Sequence, residues 1–117
     1  MRLTEMHFPD ARPITGYGPG FFRIGEAVHE GPMVAGPRGL RPWGGLEDHA
    51  PLLAMAEEID VLFIGTGVEI AQIPSVLRSA MEEANVGVEI MASPTACRSY
   101  NVLLSEGRRI ALAALPV

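Results

Sequence analysis

Two rhythms of apolar and polar residues divide this chain. From Ile14 to Pro37 short runs such as Phe21-Phe22-Arg23-Ile24, Ala27-Val28-His29-Glu30 and Met33-Val34-Ala35 are cut by glycine and proline. That spacing predicts short antiparallel strands joined by tight turns, and so much glycine makes helix implausible. Gly36 to Gly45 reads as a loop around the sole tryptophan, Trp43. Trp43 is expected to be an apolar lid on the core edge, stacking on a ligand being the other reading. Met1 to Pro13, polar and proline-bearing, reads as a loosely attached lead-in.

Beyond Trp43 the period lengthens. Glu47 or Asp48 can cap a helix with Pro51 in its first turn, carrying Leu52, Leu53, Met55 and Ala56 to Glu58. Ile59 to Ile64, apolar except for Asp60, has the look of a strand covered on both faces. Gly65-Thr66-Gly67 turns the chain. Pro74 to Asn85 places Val76, Leu77, Ala80, Met81 and Ala84 at helical spacing, with Arg78, Glu82 and Glu83 outside. Val86 to Met91 reads as a strand, Pro94 to Glu106 as a helix, and Arg109 to Leu115 as a closing strand. This order predicts a compact single α/β domain over residues 1–117. Residues 47–117 would form a small parallel β-α-β-α-β sheet with two right-handed crossovers, and 14–37 an added antiparallel portion.

The polar residues of the last helix stand out. Ser93-Pro94 reads as an N-cap with proline at the first helical position, where its missing N–H loses nothing. Gly107 reads as the C-terminal stop. Arg98 lies toward the positive end of the helix dipole and Glu106 toward the negative end, each at the disfavoured terminus. At 1.5 Å per residue they stand roughly 12 Å apart, too far to pair within the helix. Each is therefore expected to have another partner. Ligands of open parallel sheets bind beyond the carboxyl ends of the strands. Those ends are Gly65-Thr66-Gly67 and Met91-Ala92-Ser93, so the candidate binding residues are Gly65, Thr66, Gly67, Ser93, Cys97, Arg98 and Asn101. Free N–H groups beside a guanidinium would suit a small anion. The rival reading is a structural ion pair: Glu89, in a strand expected to be covered on both faces, neutralised by Arg98 or Arg108.

Other chemistries are poorly supported. Gly65-Thr66-Gly67 lacks the third glycine of a dinucleotide fingerprint, Ile70 standing in its place, and no cofactor is expected. Cys97 could be an activated nucleophile at a helix N-terminus, or a buried small residue, the better-supported choice. His7, His29 and His49 lie in the other half of the chain and show no ligand spacing with Cys97, so neither catalytic residues nor a metal are expected. A net charge of −5 argues against nucleic acid. One cysteine and no run near the roughly 20 apolar residues of a membrane span fit a soluble protein of a reducing compartment, the cytoplasm.

One further signal is a likeness. Ile14-Thr15-Gly16-Tyr17-Gly18, Gly31-Pro32-Met33-Val34, Trp43, Ile64-Gly65-Thr66-Gly67 and above all Glu89-Ile90-Met91, Cys97-Arg98-Ser99-Tyr100-Asn101-Val102-Leu103 and Glu106-Gly107-Arg108 span nearly the whole chain. Together they resemble the signature of a small domain family of unknown molecular function. Its animal members include a mitochondrial complex I assembly factor and an adipogenesis-associated protein. The family usually carries Asp-Thr after the methionine and Thr before the tyrosine. Here Ala92-Ser93 and Ser99 stand instead, so no carboxylate acts at position 92. The resemblance implies a compact α/β fold and a non-catalytic interaction or assembly module with protein partners, linked to biogenesis of membrane complexes. The alternative is an anion-binding protein or enzyme working at Cys97 and Arg98.

Overall fold

The computed structural model describes residues 11–117. The first ten residues of the expected lead-in, His7 included, lie outside that range. Five short strands open the described chain: β1 (Gly16–Gly18), β2 (Phe21–Ile24), β3 (Ala27–Glu30), β4 (Met33–Gly36) and β5 (Gly39–Pro42). Then come α1 (Ala50–Leu53), a 3-10 turn (Ala56–Glu58), β6 (Val61–Thr66), α2 (Ser75–Glu83), β7 (Gly87–Met91), α3 (Ser93–Ser105) and β8 (Ile110–Leu115). β1, β2 and β3 form a small antiparallel sheet, and the remaining strands form a second sheet in the order β5-β4-β8-β6-β7. Within it β6 pairs in parallel with both β7 and β8, while β4 is antiparallel to β8 and β5.

The expected parallel β-α-β-α-β unit is therefore present, with antiparallel strands added from the N-terminal half. Its crossovers run in opposite directions along the sheet. Right-handed connections then put their helices on opposite faces, and the core divides accordingly. One face packs Met33, Phe63 and Leu112 against Ala96, Cys97 and Tyr100 of α3 and against Phe22 and Ile24 of the small sheet. The other packs Val34, Leu62 and Ile64 against Leu52, Leu77 and Met81. Alternation along β6 sends Leu62 and Ile64 one way and Phe63 the other, which is why that run reads as continuously apolar.

Several local expectations need correction. Gly36 to Gly45 is not all loop: Gly36 and Gly39 are register partners about the two-residue turn Pro37-Arg38, and β5 returns along β4. The helix expected up to Glu58 stops after one turn and resumes as the 3-10 turn. Asp48 does not cap it, because its carboxylate accepts the Gly44 N–H at 3.0 Å. Trp43 is buried on the α1 side, as expected of a lid, and its indole N–H donates to the Asp48 carbonyl at 2.9 Å. Ser93 is not an N-cap. Ala92 takes that position, and Ser93 and Pro94 form the first helical residues. Gly107 is the expected stop: at φ +77 it lets Gly107 and Arg108 donate to the carbonyls of Leu104 and Leu103.

Candidate functional site

The carboxyl ends of β6, β7 and β8 meet where α3 begins. Ser93, 1% exposed, is the centre of this junction. Its hydroxyl accepts the Gly67 N–H at 2.8 Å and donates to the Leu115 carbonyl, while its own N–H donates to the Gly67 carbonyl. One side chain thus ties three strand ends together. Gly67 reaches it at φ +101, a conformation glycine adopts without strain. Gly65 must be glycine for another reason: a Cβ there would lie 2.7 Å from the Ser93 hydroxyl oxygen and 2.8 Å from its Cα. Thr66 Oγ1 accepts the Ala71 N–H and lies within donating distance of the Glu69 and Met91 carbonyls, ordering the loop that leaves β6.

The sequence-expected binding residues are therefore neighbours, but most of their polar groups face inward. At the N-terminus of α3 the Ser93 N–H is engaged and Pro94 has none to offer. Cys97 is buried, and desolvation pushes its thiol up to about 11, away from the thiolate a nucleophile needs. Asn101 clasps the backbone of Ile14, its Oδ1 accepting from the N–H and its Nδ2 donating to the carbonyl, both at 2.8 Å. That clasp fixes the start of the small sheet to α3. Tyr100 is fully buried, its hydroxyl has no partner among the described residues, and burial raises its pKa.

Arg98 behaves differently. It is exposed and borders an open groove of about 360 Å³ with Phe63, Ser99, Val102 and Leu103. The expected ion pair with Glu89 is not formed. Among the described residues the ion pairs are Arg38–Glu58, Arg78–Glu82 and Arg109–Asp60, so Glu89, Arg98 and Arg108 do not pair with one another. The physical reason is position: β7 is an outer strand, Glu89 is exposed, and no desolvation cost demands a counter-charge. Glu106, at the other end of α3, is exposed as well.

Comparison with known proteins places this architecture. A family model described as protein of unknown function (DUF498/DUF598) matches residues 14–115. The chain belongs to that family. Among DUF498/DUF598 relatives, an uncharacterized protein of Rhodobacter capsulatus is 47% identical over 117 residues, all of this chain and 94% of its own. NADH dehydrogenase (ubiquinone) 1 alpha subcomplex assembly factor 3 of Rattus norvegicus is 29% identical over 97% of this chain, which spans 65% of that protein. The Bos taurus protein of the same name is 32% identical over 97% of this chain and 66% of its own length. Among solved structures, an outer membrane protein from Bartonella henselae superposes with a TM-score of 0.86 at 36% identity, covering 95% of this chain and 99% of that one. A Mth938-like domain from Bordetella pertussis gives 0.75 at 25% identity, covering 99% and 92%. Among the described residues of this DUF498/DUF598 member, no helix is long and apolar enough to cross a membrane.

Two surface features escaped the sequence reading. Val68, Ile70 and Val76 are 70%, 66% and 62% exposed, on and just beyond the loop ordered by Thr66. The available signal at Val68 and Ile70 was two large apolar residues in a stretch with no helical or strand period. Val76, expected on the apolar stripe of α2, lies instead on its exposed side, Leu77 and Met81 being the buried ones. The second is a cleft of about 420 Å³ between the small sheet and the β4–β5 hairpin, floored by Ile24, Ala35 and Leu40 and edged by Arg12 and Arg38. The Arg38 guanidinium is already held by Glu58, with contacts of 2.9 to 3.1 Å.

Proposed function

We propose that this chain is a non-catalytic interaction module that serves the assembly of a membrane protein complex from a reducing compartment, the cytoplasm. The observation that carries the reading is a contrast at one end of the sheet. The reactive-looking residues there, Ser93, Cys97 and Asn101, are buried or engaged by the fold, while Val68, Ile70 and Val76 are held out in water. Large apolar side chains held exposed just beyond one strand end suit contact with another protein. The animal relatives named as assembly factors match almost the full length of this chain, which supports the same reading.

Quantitative affinity capture with the native chain and with a Val68→Ser/Ile70→Ser variant tests it. Subunits of one membrane complex should be enriched by the native chain and lost with the variant. The competing reading, a small anion held at Cys97 and Arg98, makes an opposite prediction. Saturable thermal stabilisation by inorganic phosphate or acetate, abolished in Arg98→Ala, would establish that reading and overturn the interaction module.

A further inference from the structure

The five-stranded sheet has two outer strands, β5 and β7, and they are not equally protected. β5 ends in Pro42 and displays Arg41 to solvent. Outward charge is common to both edges, Glu89 on β7 as Arg41 on β5, but proline has no N–H to offer and blunts β5 alone. β7 has no proline, and its register with β6 runs unbroken from Gly87 to Met91 without a bulge. Gly87 donates its N–H to the Asp60 carbonyl, toward β6. Backbone groups alternate sides along a strand. Those of Glu89 and Met91 therefore also face β6, while those of Val88 and Ile90 face outward, where no strand of the sheet receives them.

The side chains on this edge are sorted as well. Glu89 is the register partner of Phe63 and so lies on the α3 face. α3 sits mainly over β6 and β8, and the groove bordered by Phe63, Arg98 and Ser99 includes the register partner of Glu89 on that face. A carboxylate and a guanidinium, neither ion-paired among the described residues, thus share one face next to an unprotected edge.

We propose that a second copy of this chain adds its β7 antiparallel to this edge about a two-fold axis, in the register centred on Ile90. Residues opposed in an antiparallel pair share a face, so the axis must pass midway between the two copies of one residue. Centring on Glu89 opposes two carboxylates, which is repulsive. Centring on Val88 sets Ile90 against Val86, which is buried and whose N–H already donates to the Met81 carbonyl. Centring on Ile90 instead sets Val88 against Ala92, half-buried and still extended at φ -61, ψ 149. Centring on Ile90 joins two outward-facing isoleucines as a hydrogen-bonded pair and sets each Glu89 opposite the other copy's Met91. The sulfur of Met91 lies 3.6 Å from the Ser99 hydroxyl, and Ser99 follows Arg98. Each carboxylate is thereby delivered to the Arg98 side of the other copy. All nine basic residues of this chain are arginines, and a guanidinium can take a carboxylate in a forked pair. The contact is isologous, so the charge pair occurs twice.

Sedimentation velocity over a concentration series, on the full chain, tests the proposal. The native chain should show a reversible monomer–dimer equilibrium. Glu89→Arg and Arg98→Glu, both at exposed positions, should each be monomeric with an unchanged circular dichroism spectrum. An equimolar mixture of the two variants should dimerise, since each then offers the other opposite charges. Arg41→Glu on the far edge should leave association unaltered, and the Val88 and Ile90 amides should gain exchange protection on dimerisation. A native chain still monomeric at millimolar concentration overturns the proposal. So does a dimer that persists in both single variants, or a mixture of them that stays monomeric.

Discussion

The two sides of α3 do different work. Its inner side carries Ser93, Ala96, Cys97 and Tyr100, all buried, and the serine hydroxyl joins strand ends that would otherwise leave backbone groups unpaired. Its outer flank carries Arg98 and Val102, both exposed, along an open groove. The lesson is that polarity in a sequence does not announce function. On the inner side polar atoms hold the fold together, and the chemistry free to meet another molecule lies on the flank.

Perturbing each side separately can break or sharpen that contrast. The largest effect is expected at Gly65→Ala, where the new Cβ meets the Ser93 backbone and the first turn of α3 must move. A loss of about 3 kcal/mol in urea unfolding is expected. Ser93→Ala comes next. It strands the Gly67 N–H and the Leu115 carbonyl and should cost about 2 kcal/mol by the same measurement. Asn101→Ala releases the Ile14 backbone and should cost about 1 kcal/mol, with faster hydrogen exchange at the Ile14 amide.

Cys97 gives a pH signature. Its thiol moves from an ordinary value of 9.0 to about 11 on folding. The folded chain therefore keeps a proton that the unfolded chain loses. Stability is unaffected by this group below pH 9.0 and falls as pH rises toward about 11. Tm measured across that window should decline less steeply in Cys97→Ala, and iodoacetamide should label the native thiol slowly at neutral pH. The smallest effects belong to the flank: Arg98→Ala and Val102→Ser should each change stability by less than about 0.5 kcal/mol. If either matched Ser93→Ala, the distinction between the two sides would fail.

Much of this arrangement is legible in the chain itself. The apolar run through Leu62, Phe63 and Ile64 and the period of Leu77 and Met81 mark a covered strand and a helix, because burial on known faces leaves a regular trace. β5 left no such trace. Its residues Gly-Leu-Arg-Pro lie at an outer edge, half-buried or exposed, so no alternation developed. Glu89 misled for a related reason. Its neighbours suggest a strand covered on both faces, but strand order decides exposure, and order is set by contacts far apart in sequence. Ser93 before Pro94 has the local pattern of an N-cap, yet its hydroxyl closes strand ends instead. The residues that close its hydrogen bonds, Gly67 and Leu115, are 26 and 22 positions away, and no local pattern connects them.

β8 follows every other strand along the chain, yet it lies between β4 and β6. During synthesis the β4–β5 hairpin and the β6–α2–β7 unit leave the ribosome before the strand that joins them. Each has an apolar face with nothing to cover it until residues 110–115 emerge. The nascent protein is therefore most vulnerable to aggregation in the interval before β8 emerges, and chaperone occupancy should peak there and drop sharply once the middle of the sheet is inserted.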